Sequence, residues 1–166
     1  MKKTTHLTTS FFAFIYIIGT SCSSVKEISS KPTVNWLTFD QVQDSLRHNP
    51  KMVIVDTYAT WCGPCKQMDK VTYENPEVVE FINKNFYAIK FDAETMENIN
   101  FKSKTFTNSF NKYNTHNLTY EIAAIDGKIA YPTTTILDSQ LNKIETIDSF
   151  LFPDDMLALL NRIQSK

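Results

Sequence analysis

The chain has 166 residues, of which 42% are hydrophobic and 21% are charged, and its formal net charge is -1. This length suffices for one domain with a hydrophobic core, and three glycines and six prolines exclude a low-complexity chain. Because so small a net charge indicates no basic face for nucleic acid, we expect no nucleic-acid partner.

The N-terminus has the features of an export signal. Two lysines follow the first methionine, and residues 11–18 form an apolar run. This run is too short to span a bilayer comfortably, but it suits the core of a signal peptide. Small residues at 19–21 precede Cys22. The pattern predicts that residues 1–21 are a signal peptide.

Cys22 resembles the lipid-bearing cysteine of bacterial lipoproteins, although Gly19 stands where their lipobox usually has leucine. Three interpretations fit: a lipid anchor on Cys22, which we favour, a cleaved soluble export signal, and a retained anchor. All three place the domain outside the cytoplasm. The lipid anchor would tether it to a membrane in the cell envelope, facing the periplasm, since each buried methylene adds about 0.8 kcal/mol. Residues 22–33 are mostly small and polar and are predicted to be a tether.

Strands and helices alternate along residues 34–166, which we assign to one domain. Thr38, with Gln41 in the capping-box position, starts a helix that runs to about residue 48. Residues 51–58 are an apolar, β-rich run typical of a central strand. Further predicted elements are a helix over about 62–71, a helix from Asn75 and Pro76, a strand over 86–92, a strand pair over 133–138 and 143–150, and a helix from about Pro153 that packs Met156, Leu157, Leu160 and Ile163.

A long segment, residues 93–130, precedes the strand pair. Its residues 98–107 alternate in polarity and predict a small hairpin that turns at about Lys102. Residues 118–125 predict a short helix that ends at Gly127. Loops of such length are often functional.

Two cysteines stand at the start of a predicted helix, in the sequence Trp61-Cys62-Gly63-Pro64-Cys65-Lys66. A reversible redox pair, an inert staple and half of a metal site are the three interpretations. A disulfide scaffold would need more cysteines in an exported chain. A zinc site would need two further ligands, and the histidines show no ligand spacing. We favour the redox pair and expect no metal.

The position of the motif assigns different tasks to its residues. Helix N-terminal amides stabilise a thiolate at Cys62, which should be the exposed nucleophile in disulfide exchange. Cys65, one turn further and more buried, then resolves the mixed disulfide. Gly63 permits close approach of a partner, and Pro64 is tolerated because first-turn amides lack helix partners. Trp61 offers a flat apolar surface for docking.

Residues 55–66 resemble thioredoxin closely, and residues 72–78 and 85–90 resemble exported thioredoxin-like proteins and the C-terminal domain of the DsbD electron transporter. The resemblance covers most of residues 34–166. It implies the thioredoxin fold, an α/β fold with a central mixed sheet and helices on both faces. It also implies that the enzyme uses no cofactor beyond its own redox-active disulfide.

The resemblance assigns roles to three further positions. Asp56 matches a buried aspartate that exchanges a proton with the resolving cysteine, a task that a pKa raised by burial suits; a solvated strand-end aspartate is the alternative. Tyr131-Pro132 matches the family's cis-proline, whose preceding backbone pairs with a bound peptide. Lys90 matches a lysine that pairs with the aspartate, and a surface lysine fits the sequence equally well.

The chain departs from thioredoxin at two places. Residues 93–130 stand where thioredoxin has a short helix, so they form an insertion before the cis-proline. This insertion either shapes partner choice near the cysteines or is a stable decoration. Tyr131 stands where thioredoxin usually has isoleucine, at a position that touches the active-site sulfurs in relatives.

Together these features predict an exported thiol–disulfide oxidoreductase that reduces protein disulfides. Its partners would be protein or peptide thiols and disulfides, with a membrane electron donor upstream. Gly63 and Pro64 between the cysteines favour the reducing direction. An oxidase or isomerase using the same pair is the alternative enzyme. A redox-silent peptide-binding module is the alternative from another class, which two intact cysteines disfavour.

Overall fold

A computed structural model describes residues 31–108 and 114–165. The predicted signal peptide, Cys22 and most of the predicted tether lie outside the described residues. No helix of the described part is long and apolar enough to cross a membrane. The elements in chain order are β1 (Trp36–Leu37), α1 (Phe39–His48), β2 (Met52–Tyr58), α2 (Gly63–Val71), α3 (Pro76–Asn85), β3 (Phe86–Asp92), β4 (Ile99–Phe101), β5 (Lys104–Phe106), α4 (Asn117–Ile122), β6 (Thr133–Leu137), β7 (Lys143–Ile147) and α5 (Pro153–Gln164).

Five strands form one mixed sheet in the order β1-β3-β2-β6-β7. β1, β3 and β2 run parallel, whereas β6 is antiparallel to β2 and β7 is antiparallel to β6. The predicted α/β thioredoxin fold with a central mixed sheet is confirmed, and β2 lies at the centre as its apolar run predicts. The sequence does not predict β1, because a strand of two residues is too short to show a pattern.

Helices cover both faces of the sheet. Ile54 on β2 belongs to the hydrophobic cluster that holds α3 and α5, whereas its neighbours Val53 and Val55 belong to the cluster that holds α1, α4 and the β4–β5 hairpin. All three side chains are fully buried. The continuous apolar run of β2 is therefore the consequence of a strand with a core on each face.

The predicted caps at helix starts are confirmed. Thr38 and Gln41 form a reciprocal capping box at the start of α1. The Asn75 side chain accepts backbone hydrogen bonds from the first turn of α3, and Pro76 occupies the first helical position. The start of α2 carries a less common cap, the sulfur of Cys62.

One predicted detail near the C-terminus is wrong. β7 ends at Ile147, which pairs with Thr134 near the start of β6, so the strand does not reach residue 150. In α5 the predicted packing of Met156, Leu157, Leu160 and Ile163 is confirmed, with Leu157 partly buried against the core, and Leu159 is a further buried residue that the sequence does not single out. Leu159 and Leu160 belong to the buried cluster that also holds residues of α3 and the sheet.

The insertion is folded onto the sheet. The predicted hairpin is confirmed as β4 and β5, with Lys102 in the left-handed region at φ 55°. His116 is fully buried; its backbone N–H donates to the Ala93 carbonyl at 2.7 Å, and its ring accepts from Leu118 N–H and caps α4. These contacts fix the second half of the insertion to the end of β3.

The prediction that Gly127 ends the short helix is wrong, because α4 already ends at Ile122. Asp126 and Gly127 both have positive φ, 49° and 73°. They form a tight turn between Ile125 and Lys128, which exchange two backbone hydrogen bonds. Positive φ at both central residues is typical of a two-residue hairpin turn, and such turns favour glycine.

Candidate active site

The loop after β2 places the two cysteines at the N-terminus of α2. Cys62 is the N-cap residue of that helix, and it is joined to Cys65 by a disulfide. The Cys62 backbone N–H donates to the Ala59 carbonyl at 3.0 Å, which holds the loop. The Cys65 backbone N–H points at the Cys62 sulfur at 3.1 Å. A helix amide aimed at a sulfur stabilises negative charge there.

The two cysteines are equally buried, each 3% exposed, so the expected contrast between an exposed Cys62 and a buried Cys65 is wrong for the disulfide form. They differ in what they face. Cys62 lines a surface groove, and Cys65 does not. Both sulfurs are bonded to each other and covered by Ala59, Tyr58 and Tyr131. Access to the pair is therefore through the groove at Cys62.

Asp56 lies in the middle of β2 and is 2% exposed, so the alternative of a solvated aspartate is wrong. In the sheet it is paired with Lys90 on β3 and with Thr134 on β6. Lys90 Nζ donates to Asp56 Oδ2 at 2.8 Å. Burial raises the pKa of Asp56 to about 6, because desolvation outweighs the attraction of Lys90. A carboxyl with this pKa can gain and lose a proton near neutral pH.

Lys90 is held by two carboxylates and three aromatic rings. Its ammonium also donates to Asp69 on α2. It lies 5.2 Å, 5.0 Å and 5.5 Å from the ring centroids of Trp36, Tyr58 and Tyr73. Burial opposes its charged form, but the carboxylates prevail and raise the pKa of Lys90. The lysine therefore stays charged, and the interpretation of Lys90 as a surface lysine is wrong.

The Tyr131–Pro132 peptide bond is cis, which confirms the geometry that the resemblance implies. Pro132 directly precedes β6, and Tyr131 packs against the cysteine pair. The Tyr131 ring also meets the Trp61 ring edge-on, with centroids 5.9 Å apart. The motif loop and the cis-proline are thus neighbours, as a peptide-docking edge requires.

A groove of about 730 Å³ opens beside Cys62. Residues from three parts of the chain line it, and they are Trp61, Cys62, Gly63, Pro64, Glu94, Thr115, Tyr120, Gly127, Ile129, Ala130 and Tyr131. The predicted site residues Cys65, Asp56 and Pro132 do not line it. A Cβ added at Gly63 would meet no atom within 4 Å, so the space above this residue is open.

Part of the groove wall comes from the insertion, and the sequence alone does not identify its residue Glu94. Glu94 accepts a hydrogen bond from Trp61 Nε1 at 2.9 Å, and it orients an indole that is 66% exposed. One signal could have located Glu94. β2 and β3 are parallel and Tyr58 pairs with Asp92, so residues just after the two strands meet at one edge of the sheet.

The described residues contain no group of three or more His, Cys, Asp or Glu side chains that could hold a metal ion. The chemistry that the arrangement offers is that of two sulfurs, a buried carboxyl and an open groove. Together they suit the exchange of one disulfide for another.

A family model matches most of the chain, and proteins of known sequence and structure resemble parts of it. The family model Thioredox_DsbH, described as "Protein of unknown function, DUF255", matches residues 18–151. Thioredoxin Y1, chloroplastic, of Arabidopsis thaliana is 40% identical over 67 residues, 40% of this chain and 37% of that protein. The thiol:disulfide interchange protein DsbD of Campylobacter jejuni (strain RM1221) is 31% identical over 67 residues, 40% of this chain and 11% of that protein.

A solved structure, "DsbH Oxidoreductase", shares the fold with a TM-score of 0.55 at 13% identity, covering 80% of this chain and 83% of that one. Among the two curated relatives, by contrast, this chain spans only 37% of the length of the thioredoxin and 11% of the length of the DsbD. At 13% identity, the likeness to the solved structure shows the fold alone.

Replacing Asp56 by Asn tests the state of the buried carboxyl. The pKa of Asp56 is about 6 in the folded protein, above its ordinary 3.8. The free energy of unfolding therefore falls as the pH rises between these two values and the Asp56 carboxyl loses its proton. We expect Asp56→Asn to raise the free energy of unfolding by about 2–3 kcal/mol at about pH 8 and by little at about pH 4, at about 1.4 kcal/mol per pKa unit. Urea unfolding of the oxidised protein measures this.

The exposed Asp148 gives a matched control, since Asp148→Asn removes the same charge from the surface. That variant should show no comparable dependence on pH. If Asp56→Asn raised the free energy of unfolding equally at both pH values, this result would contradict a raised pKa of Asp56.

Proposed function

The chain belongs to the Thioredox_DsbH family of the thioredoxin-like superfamily, and from this membership we propose that it is a thiol–disulfide oxidoreductase of the cell envelope that reduces protein disulfides. The observation that carries the proposal is the Cys62–Cys65 disulfide at the N-terminus of α2, beside the cis Tyr131–Pro132 bond. Asp56, in the strand that leads to the motif, supplies a proton-accepting group.

The first step is attack by the reduced protein. The Cys62 thiolate attacks one sulfur of the partner's disulfide; a bond forms between them, the partner's own S–S bond breaks, and its other sulfur leaves as a thiolate. The Cys65 amide that points at the Cys62 sulfur stabilises the attacking anion. The groove at Cys62 admits the partner.

The second step releases the partner. The Cys65 thiol gives up its proton, and its sulfur attacks the Cys62 sulfur, so the Cys62–Cys65 bond forms and the mixed disulfide breaks. Asp56 is the group we assign to accept the Cys65 proton, since its pKa of about 6 suits transfer near neutral pH. In total, two electrons and two protons pass from the dithiol to the partner, which leaves with two thiols.

Each turnover leaves the Cys62–Cys65 pair oxidised, so the proposed cycle requires a dithiol donor that returns two electrons and two protons. We propose a membrane electron transporter as the donor. The similarity to DsbD, a thiol:disulfide interchange protein, supports an envelope role. The sequence of residues 1–21 supports export, and Cys22 supports attachment to a membrane by a lipid.

Fractionation of cells tests the lipid anchor. We expect the natural protein in the membrane fraction and the Cys22→Ser variant in the soluble extract, because the variant has no thiol for lipid attachment. A Cys62→Ser variant is the matched control and should stay in the membrane fraction. A Cys22→Ser protein that also stays with the membrane would contradict lipidation and favour a retained anchor.

The two alternative functions, an oxidase or isomerase and a peptide-binding module, would use the same site in different ways. An oxidase or isomerase would act through the same two cysteines, and its reduction potential would be more oxidising. A peptide-binding module would use the groove and would not need the sulfurs. Loss of the biological role on replacing both cysteines by serine would exclude the binding module.

Trapping the first intermediate tests the proposed exchange. In Cys65→Ser the second step cannot occur, so we expect covalent mixed disulfides between Cys62 and added disulfide-containing proteins, released by dithiothreitol. Non-reducing electrophoresis and mass spectrometry measure them. Cys62→Ser is the matched control and should trap far less, since its remaining thiol does not line the groove. A Cys65→Ser protein that traps no partner would contradict the proposed function.

A further inference from the structure

The groove beside Cys62 carries one sign of charge. Its walls come from the motif loop, from the residues before Pro132 and from the insertion. Glu94 is the one charged side chain among the described residues that line it. A partner segment that reaches Cys62 therefore passes a negative charge and otherwise meets apolar, small or uncharged polar side chains.

Glu94 is held in place through its side chain and its backbone. Its Oε1 accepts the hydrogen bond from Trp61 Nε1 at 2.9 Å, and its backbone N–H donates to Asp92 Oδ1 at 3.0 Å. Trp61 directly precedes Cys62 in the chain. The carboxylate is thus presented at a fixed position next to the nucleophile.

The charge of Glu94 is not neutralised from within the described part of the chain, where no lysine, arginine or histidine forms an ion pair with it. The neighbouring phenol is neutral, since burial and the nearby Glu94 carboxylate raise the pKa of Tyr131. Glu94 is partly buried, and the charge of a partly buried residue is screened less than that of a fully exposed one. A cation brought by a partner would find it available.

We infer that Glu94 is a specificity-determining residue that selects partner proteins with a lysine or arginine beside the cysteine of their disulfide. The inference rests on the proposed function and adds a substrate class to it. The partner's extended segment lies along Tyr120, Ile129 and Tyr131. Its basic side chain pairs with Glu94 while its sulfur meets Cys62. An acidic side chain at the same place is repelled by Glu94 and by the attacking thiolate.

Three short peptides test this selection. Each has a central cysteine in mixed disulfide with 2-thiopyridine, flanked on both sides by arginine, alanine or glutamate, and the release of thiopyridone by the reduced protein is followed by absorbance. We expect the rates to fall in the order arginine, alanine, glutamate, with about a fivefold ratio between the outer two, the size expected of a single solvent-accessible ion pair. The ratio should shrink as salt is added.

Variants assign the preference to Glu94. Glu94→Gln keeps an oxygen for the Trp61 hydrogen bond and should lower the arginine-to-glutamate ratio to the part that the attacking thiolate contributes, and Glu94→Lys should lower the ratio further. Glu121→Gln removes the same charge from the insertion away from the groove and should keep the ratio of the natural protein.

The outcomes separate this inference from the proposed function. Exchange with all three peptides at equal rates, or a preference that Glu94→Gln retains undiminished, overturns the selection by Glu94 and leaves the exchange reaction standing. Failure to exchange with any peptide overturns the proposed function, and the inference falls with it.

Discussion

The register of β2 is the constraint on which the site depends. It places Asp56 opposite Lys90 on one side and Thr134 on the other, and it ends where the chain must turn to deliver Cys62 to the start of α2. A shift of one residue would move Asp56 to the other face of the sheet. In the observed register Asp56 is paired with Lys90 and buried, and burial dominates the pKa of its carboxyl.

We assign different roles to two carboxylates. Asp56 is buried, shares Lys90 with Asp69, and is suited to moving a proton. Glu94 lies at the groove, bonds the exposed Trp61 ring, and is suited to meeting a partner. The first depends on the core of the fold, and the second on the insertion that His116 fixes to the end of β3. In the mechanism and the selection that we propose, the chemistry and the choice of partner thus depend on separate parts of the chain.

How well the sequence predicts the site depends on the range of the contacts. Cys62 caps its own helix, so a local motif suffices, and the burial of Asp56 follows from the run around it. The Asp56–Lys90 pair needs a strand register that no local pattern gives, and it spans 34 positions. Glu94 and Trp61 meet across 33 positions, at the ends of two parallel strands. Gly127 misleads because a glycine serves a helix end and a hairpin turn equally well.

The reduction potential of the Cys62–Cys65 pair tests the central claim, that this dithiol gives electrons to partner disulfides. It is measured by equilibrating the protein with glutathione or dithiothreitol buffers and quantifying the free thiols. We expect a value near that of thioredoxin, about -270 mV. A value near that of DsbA, about -120 mV, would contradict a reductase and establish the pair as an oxidant of protein thiols.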